Sequence, residues 1–181
     1  MDQIDLDLSA EQIQGITSFL GYGKPAHSIW FIGLEEGWGK SSESEARENL
    51  KPRGDFQPVM DLYEAHQGLK EQGVTINIKA KASFTPVWVY MAKIMIAKEG
   101  HKNWSDNAKN REEILDKAKE FIRYRLGRWD GNTFLTELSP IPRKRTSDSN
   151  WMQAFRRIAP SLDEQIQNRK ATLKRLLGAS Q

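Results

Sequence analysis

Two short stretches carry the residues whose chemistry stands out. Glu35 and Glu36 close the apolar run in "IWFIGLEEGWG" (29–39), and Glu137 lies six residues before the basic run Arg143, Lys144 and Arg145 in "TELSPIPRKR". A carboxylate can position a water or steady a developing positive charge, and clustered cations neutralise phosphate with salt-sensitive affinity. Neighbours on an extended chain point to opposite sides, so Glu35 and Glu36 cannot share one task; Glu35 is the candidate for a crevice and Glu36 the bystander. Gly33, Gly37 and Gly39 allow close backbone approach to a phosphate or a base. Trp38, Phe56 and Trp151 are the nearby aromatics suited to stacking on a base, whereas Trp30 and Phe31 lie inside the apolar run and belong to a core.

Other chemistries are less well served. The chain has no cysteine, which excludes disulfides, thiolate metal sites and a cysteine nucleophile. His27, His66 and His101 are too widely spread for metal ligation, and no metal or cofactor is expected. Phosphate-binding loops, the nucleophile elbow and the dinucleotide fingerprint are all missing. A carboxylate metal nuclease built on Glu35, Asp61 and Glu137 lacks the lysine-bearing motif that usually accompanies it.

Those residues need elements to hold them. Ser9 and Gln12 match a capping box before a helix over about 9–20, and "GYGKPAH" breaks it. "SIWFIGL" reads as a strand buried on both faces, hence central in a sheet, closed by an acidic turn. Short helices are expected in "SSESEARENL" and in "DFQPVMDLYEAHQGL", with Pro58 near the first turn of the second. "VTINIKA" alternates like a strand. Thr85 and Pro86 open a helix that Gly100 stops, and a longer amphipathic helix spans about 105–126. "NTFLTELSPIP" is a second buried strand stopped by its prolines, and Ser161 caps a basic final helix ended by Gly178. Helices between the two strong strands argue for an α/β fold with parallel pairing. Ligands of such sheets bind beyond the carboxyl ends of the strands, so Glu35 and Glu137 should face one crevice.

With 181 residues, 38% of them hydrophobic and 28% charged, the chain suits one folded domain over 1–181. Its net charge of +3 is unevenly placed, −5 over 1–90 and +8 over 91–181, which favours an anionic partner for the second half. The acidic start is no signal peptide, and no stretch has the length of a membrane span. A cytoplasmic protein without a membrane partner is expected.

"SIWFIGLEEG" resembles the first motif of the uracil-DNA glycosylase superfamily, in which a buried strand ends in a glycine and a short polar tripeptide. The chain is more closely similar to an uncharacterised branch of that superfamily through "WFIGLEEG", "TPVW" and "LGRWDGNTFLTELSPIPRKRTSDSNW". The resemblance implies a three-layer α/β/α fold with a parallel sheet and recognition of nucleic-acid bases, with hydrolysis of an N-glycosidic bond in DNA as the reaction. Counted from the glycine, Glu35 takes the place of the water-positioning aspartate, with Glu137 as the second catalytic candidate. Phe56 is placed like the aromatic that stacks on the flipped base. Gly33, Gly37, Trp38, Ser139, Arg143, Lys144 and Arg145 complete the expected base- and nucleic-acid-binding set. The amide that reads the base edge in the family is missing near Glu137 and Ser139. The family's third and fourth strands and its HPSP-type histidine motif would follow Gln181, so two alternatives are expected: a fragment of a longer protein with an incomplete sheet, or a sheet edge covered by a partner chain or a second copy. The alternative is a non-catalytic module that keeps the fold and binds nucleic acid or protein.

Overall fold

The computed structural model describes residues 7–26, 28–37, 48, 50–71, 86–100, 108–143 and 149–179. Among them a four-stranded mixed sheet is combined with six α-helices. The strands are β1 (Gly21–Gly23), β2 (Ile29–Gly37), β3 (Val59–Met60) and β4 (Thr133–Arg143); the helices are α1 (Ala10–Ser18), α2 (Leu62–Glu71), α3 (Pro86–Lys98), α4 (Ala108–Tyr124), α5 (Ser149–Ile158) and α6 (Leu162–Ala179), with a 3₁₀ turn at Lys51–Asp55.

The capping box at the start of α1 is formed: the Gln12 N–H donates to Ser9 Oγ at 3.2 Å and the Ser9 N–H donates to Gln12 Oε1 at 2.9 Å. Two orphan donors are satisfied by this exchange, which fixes where the helix begins. α2 starts later than Pro58 suggests. Val59 and Met60 are extended and pair with β1, and Asp61 caps the helix from outside through Tyr63 N–H at 2.8 Å and Glu64 N–H at 3.3 Å.

The sheet order is β2-β4-β1-β3, with β2 and β4 parallel and β1 antiparallel to β4. An all-parallel sheet is therefore corrected to a mixed one. The physical reason lies in residues 24–28, the whole link from β1 to β2. A parallel crossover needs a dozen or more residues, so a link this short reverses the chain, and β4 enters between the two strands.

β2 is also corrected from a central strand to one with a single neighbour, β4, among the described residues. Ile32 is 48% and Leu34 67% exposed, so one of its faces is open where burial on both was expected. The acidic pair does not form a tight turn: β2 runs on through Glu35 and Glu36 to Gly37, with an irregularity in pairing between Glu35 and Gly37. Pro140 and Pro142 fall inside β4, and Gly178 lies within α6. α5, between Arg143 and the final helix, is an element that the sequence reading did not anticipate.

The core forms two clusters. Leu62, Ala92, Met95, Ile96, Ala118, Phe121, Ile122, Leu126 and Leu135 join α2, α3 and α4 to the sheet, with Phe31, Tyr22 and Trp88 packed against them. Ile13, Ile16, Leu50, Ile141, Phe155, Leu162 and Ile166 join α1, α5 and α6 to the far end of β4. Burial of aliphatic and aromatic side chains at about 1.5–3 kcal/mol each is the main stabilising term. The expected strand in "VTINIKA" and most of the expected helix in "SSESEARENL" lie outside the described residues.

Candidate functional site

The parallel register of β2 on β4 sets Phe31 beside Leu135, Gly33 beside Glu137 and Glu35 beside Ser139. The two strand ends are thus adjacent, as the sequence reading required. Glu137 bends back over β2 at Gly33. A Cβ built on Gly33 would overlap the Glu137 carboxylate, whose Oε2 is buried. A side chain at 33 would displace the carboxylate, the movable end of the Glu137 side chain.

Next to this pair lies a cavity of about 110 Å³. Its apolar wall includes Phe19, Tyr22, Phe31, Trp88 and Leu135; its polar groups are Arg53, His66, Glu137, Ser139 and Arg169. The cavity forms because β1 accompanies β4 only as far as the Tyr22–Leu135 pair. Beyond that point the chain turns away at Leu20 and leaves a gap beside Thr136 and Glu137.

Arg169 of α6 closes the bottom of the gap. Its Nε donates to the Glu137 carbonyl oxygen at 3.0 Å, and its Nη2 donates to the same oxygen at 2.8 Å and to the Leu20 carbonyl at 3.1 Å. The Thr136 hydroxyl also donates to Leu20 O, at 2.5 Å. Backbone acceptors that the sheet leaves without strand partners are satisfied in this way. Only 4% of Arg169 is exposed. Burial pushes its guanidinium down to about 10, against the opposing pull of the Glu137 charge.

The aromatic wall is itself braced. Tyr22 packs between Phe19 (centroids 4.8 Å) and His66 (5.8 Å), and His66 meets Trp88 at 5.6 Å, nearly edge-on. His66 Nδ1 lies 2.7 Å from the Leu62 carbonyl, a contact that needs the proton on Nδ1. His66 is thus buried and braces the aromatic wall.

Asp61 belongs to the scaffold. Its Oδ1 caps α2, while Oδ2 accepts from Arg128 Nε at 2.9 Å and Trp129 N–H at 3.0 Å, and Arg128 lies over the Tyr63 ring. Gly127, at φ 63°, makes this corner possible: it takes a left-handed conformation, receives the Leu62 N–H on its carbonyl and donates to Thr133 Oγ1. With both oxygens committed, Asp61 is unsuited to a metal site shared with Glu137. No cluster of three or more metal-ligating side chains occurs among the described residues.

Of the sequence candidates, Glu137 and Ser139 line the cavity and Gly33 makes room for the Glu137 carboxylate. Phe56 stands behind the wall, edge-on to Phe19 at 5.2 Å. Glu35, Gly37 and Arg143 are placed by their backbones: Glu35 pairs with Ser139, and Gly37 with Arg143. The side chains of Glu35, Arg143 and Trp151 lie outside what is described, as do Trp38, Lys144 and Arg145 entirely. The sequence reading missed Arg169, Tyr22, Phe19 and Trp88. For Arg169 a signal was present: Leu162, Ile166, Arg169 and Leu173 fall on one helical stripe, and a cation within an apolar stripe is out of place on a solvated face.

No family model, curated protein or solved structure matches the chain.

Proposed function

We propose that the cavity binds the flat ring of a nucleobase and that the protein recognises bases in nucleic acid. One observation carries this reading: the Glu137 carboxylate is held over Gly33 at the rim of an aromatic-walled cavity, beside the carboxyl end of a parallel strand pair. A ring of benzene size occupies an apolar cavity of about 150 Å³, so a partly open space of about 110 Å³ suits a single six-membered ring. Rings stack on aromatic walls whatever their sequence identity, and Glu137 can accept hydrogen bonds only from ligand N–H or O–H groups, which supplies selectivity.

In its enzymatic form this reading makes the protein a glycosylase. A base extruded from its stack, at a cost of a few kcal/mol, enters the cavity. Glu35, next to Ser139 in the strand register, then positions the water or steadies the developing positive sugar. Support for this step comes from the likeness of "WFIGLEEG" to the glycosylase motif. Incubation with uracil- and other damaged-base oligonucleotides tests it: base release by wild type and its loss in Glu35→Gln are expected, and equal release by both contradicts a role for Glu35.

A second reading, a non-catalytic binding module, is favoured by the +8 charge of residues 91–181. It requires oligonucleotide binding that weakens with salt and with Arg143→Ala and Lys144→Ala but is indifferent to Glu35→Gln.

A further inference from the structure

Among the described residues, Arg53, Arg169 and Glu137 are the charged groups of the cavity lining. Arg169 is the deeper of the two cations. Its Nε and Nη2 are spent on the neutral acceptors Glu137 O, Leu20 O and Thr136 Oγ1, and its Nη1 has no hydrogen-bond partner among the described residues. A buried N–H without an acceptor is costly, and more so on a charged group. Buried charges are normally paired.

We propose that the ligand of this cavity carries an anionic oxygen that accepts a hydrogen bond from the Arg169 guanidinium, with Arg53 on the same lining. The proposal rests on the base-binding reading for the ring and adds to it the charge that the ring's substituent must bear. Because the cavity has room for about one ring, the anionic oxygen belongs to the ring or to a group attached close to it. A carboxylate and a phosphate offer the same oxygen chemistry to a guanidinium. Glu137, the one carboxylate of the lining among the described residues, repels an anion, so for ring anions that offer it no N–H its neutralisation should strengthen binding.

Two matched pairs test this by calorimetric titration of the full chain: benzoate against benzamide, and phenyl phosphate against phenol. Wild type is expected to prefer the anionic member of at least one pair by about tenfold or more, since a hydrogen bond to a charged group contributes that much. Preference within the first pair identifies a carboxylate, and within the second a phosphate. Arg169→Gln should reduce the preference below about threefold, Arg169→Lys should retain part of it, and Glu137→Gln should tighten the anion. Equal affinities within both pairs in wild type, including no measurable binding of any member, overturn the proposal without recourse to a variant. A preference that survives in folded Arg169→Gln also overturns it. If anions are preferred while free neutral bases do not bind, the base-binding reading fails and the anion subsite stands; if neutral bases bind and anions are not preferred, the anion subsite fails and the base-binding reading stands.

Discussion

Gly33 and Glu137 face each other across the parallel pair β2 and β4, and the carboxylate of Glu137 fills the space that a side chain at 33 would need. The glycine that ends the apolar run in the sequence therefore serves a partner more than one hundred residues away, because it lets a charged group lie down on the sheet next to the cavity. Because only the movable end of the Glu137 side chain stands in the way, Gly33→Ala is expected to destabilise the protein by about 1 kcal/mol, the low end for overpacking. In a Glu137→Ala background the same substitution should cost less, giving a coupling of about 0.5–1 kcal/mol. Urea unfolding of the four proteins in the cycle measures it, and strictly additive effects would show that the two residues do not interact.

Asp61 caps α2 and anchors Arg128 and the Trp129 N–H with one buried carboxylate. Removing one partner of a buried pair typically costs about 3–5 kcal/mol. Arg128 can still reach solvent, so Asp61→Ala should fall near the lower end, about 3 kcal/mol. Denaturant midpoints at unchanged slope are the appropriate readout, and a loss below about 1 kcal/mol would mean that the corner is held by other contacts.

At Gly15, α1 meets the 3₁₀ turn with no space to spare: an added Cβ would collide with the backbone carbonyl of Gly54. Backbone cannot swing aside as a side chain can. Gly15→Ala should therefore destabilise by about 1–3 kcal/mol, although alanine ordinarily favours a helix over glycine by roughly 0.5–1 kcal/mol. A thermal melt showing stabilisation would contradict the contact.

The aromatic wall makes a comparative prediction. Trp88 lines the cavity, whereas Phe56 supports Phe19 from behind. Trp88→Ala should reduce ring binding by about 1–3 kcal/mol, the usual worth of a stacked aromatic, and Phe56→Ala should reduce it less. The opposite ranking, measured by fluorescence or calorimetric titration, would assign the stacking role to Phe56 as the sequence motif suggests.

Much of this arrangement was legible in the chain because its signals were local. The Ser9–Gln12 box, the strands that begin at 29 and 133 and the stripe in α4 each follow from the residue pattern within one element, and the parallel pairing of β2 with β4 follows from the helices between them. What failed was non-local. "GYG" is too short and too glycine-rich to announce itself as β1, yet a backbone edge on β4 gives it a strand partner. The open face of β2 was invisible because Ile32 and Leu34 are as apolar as any buried pair. The cavity wall draws Phe19 and Tyr22 from the end of α1 and β1, Trp88 from α3 and Arg169 from α6, a grouping that no spacing rule could assemble.

The proposed reading of a flat ring by Glu137 is tested by titration of wild type and Glu137→Gln with the free bases uracil, cytosine, adenine and guanine, with circular dichroism showing that both proteins are folded. Saturable binding of at least one base by wild type and a loss of about tenfold in Glu137→Gln are expected, the scale of a hydrogen bond to a charged acceptor. Binding of no base by wild type, or equal affinity in the two proteins, would contradict that reading.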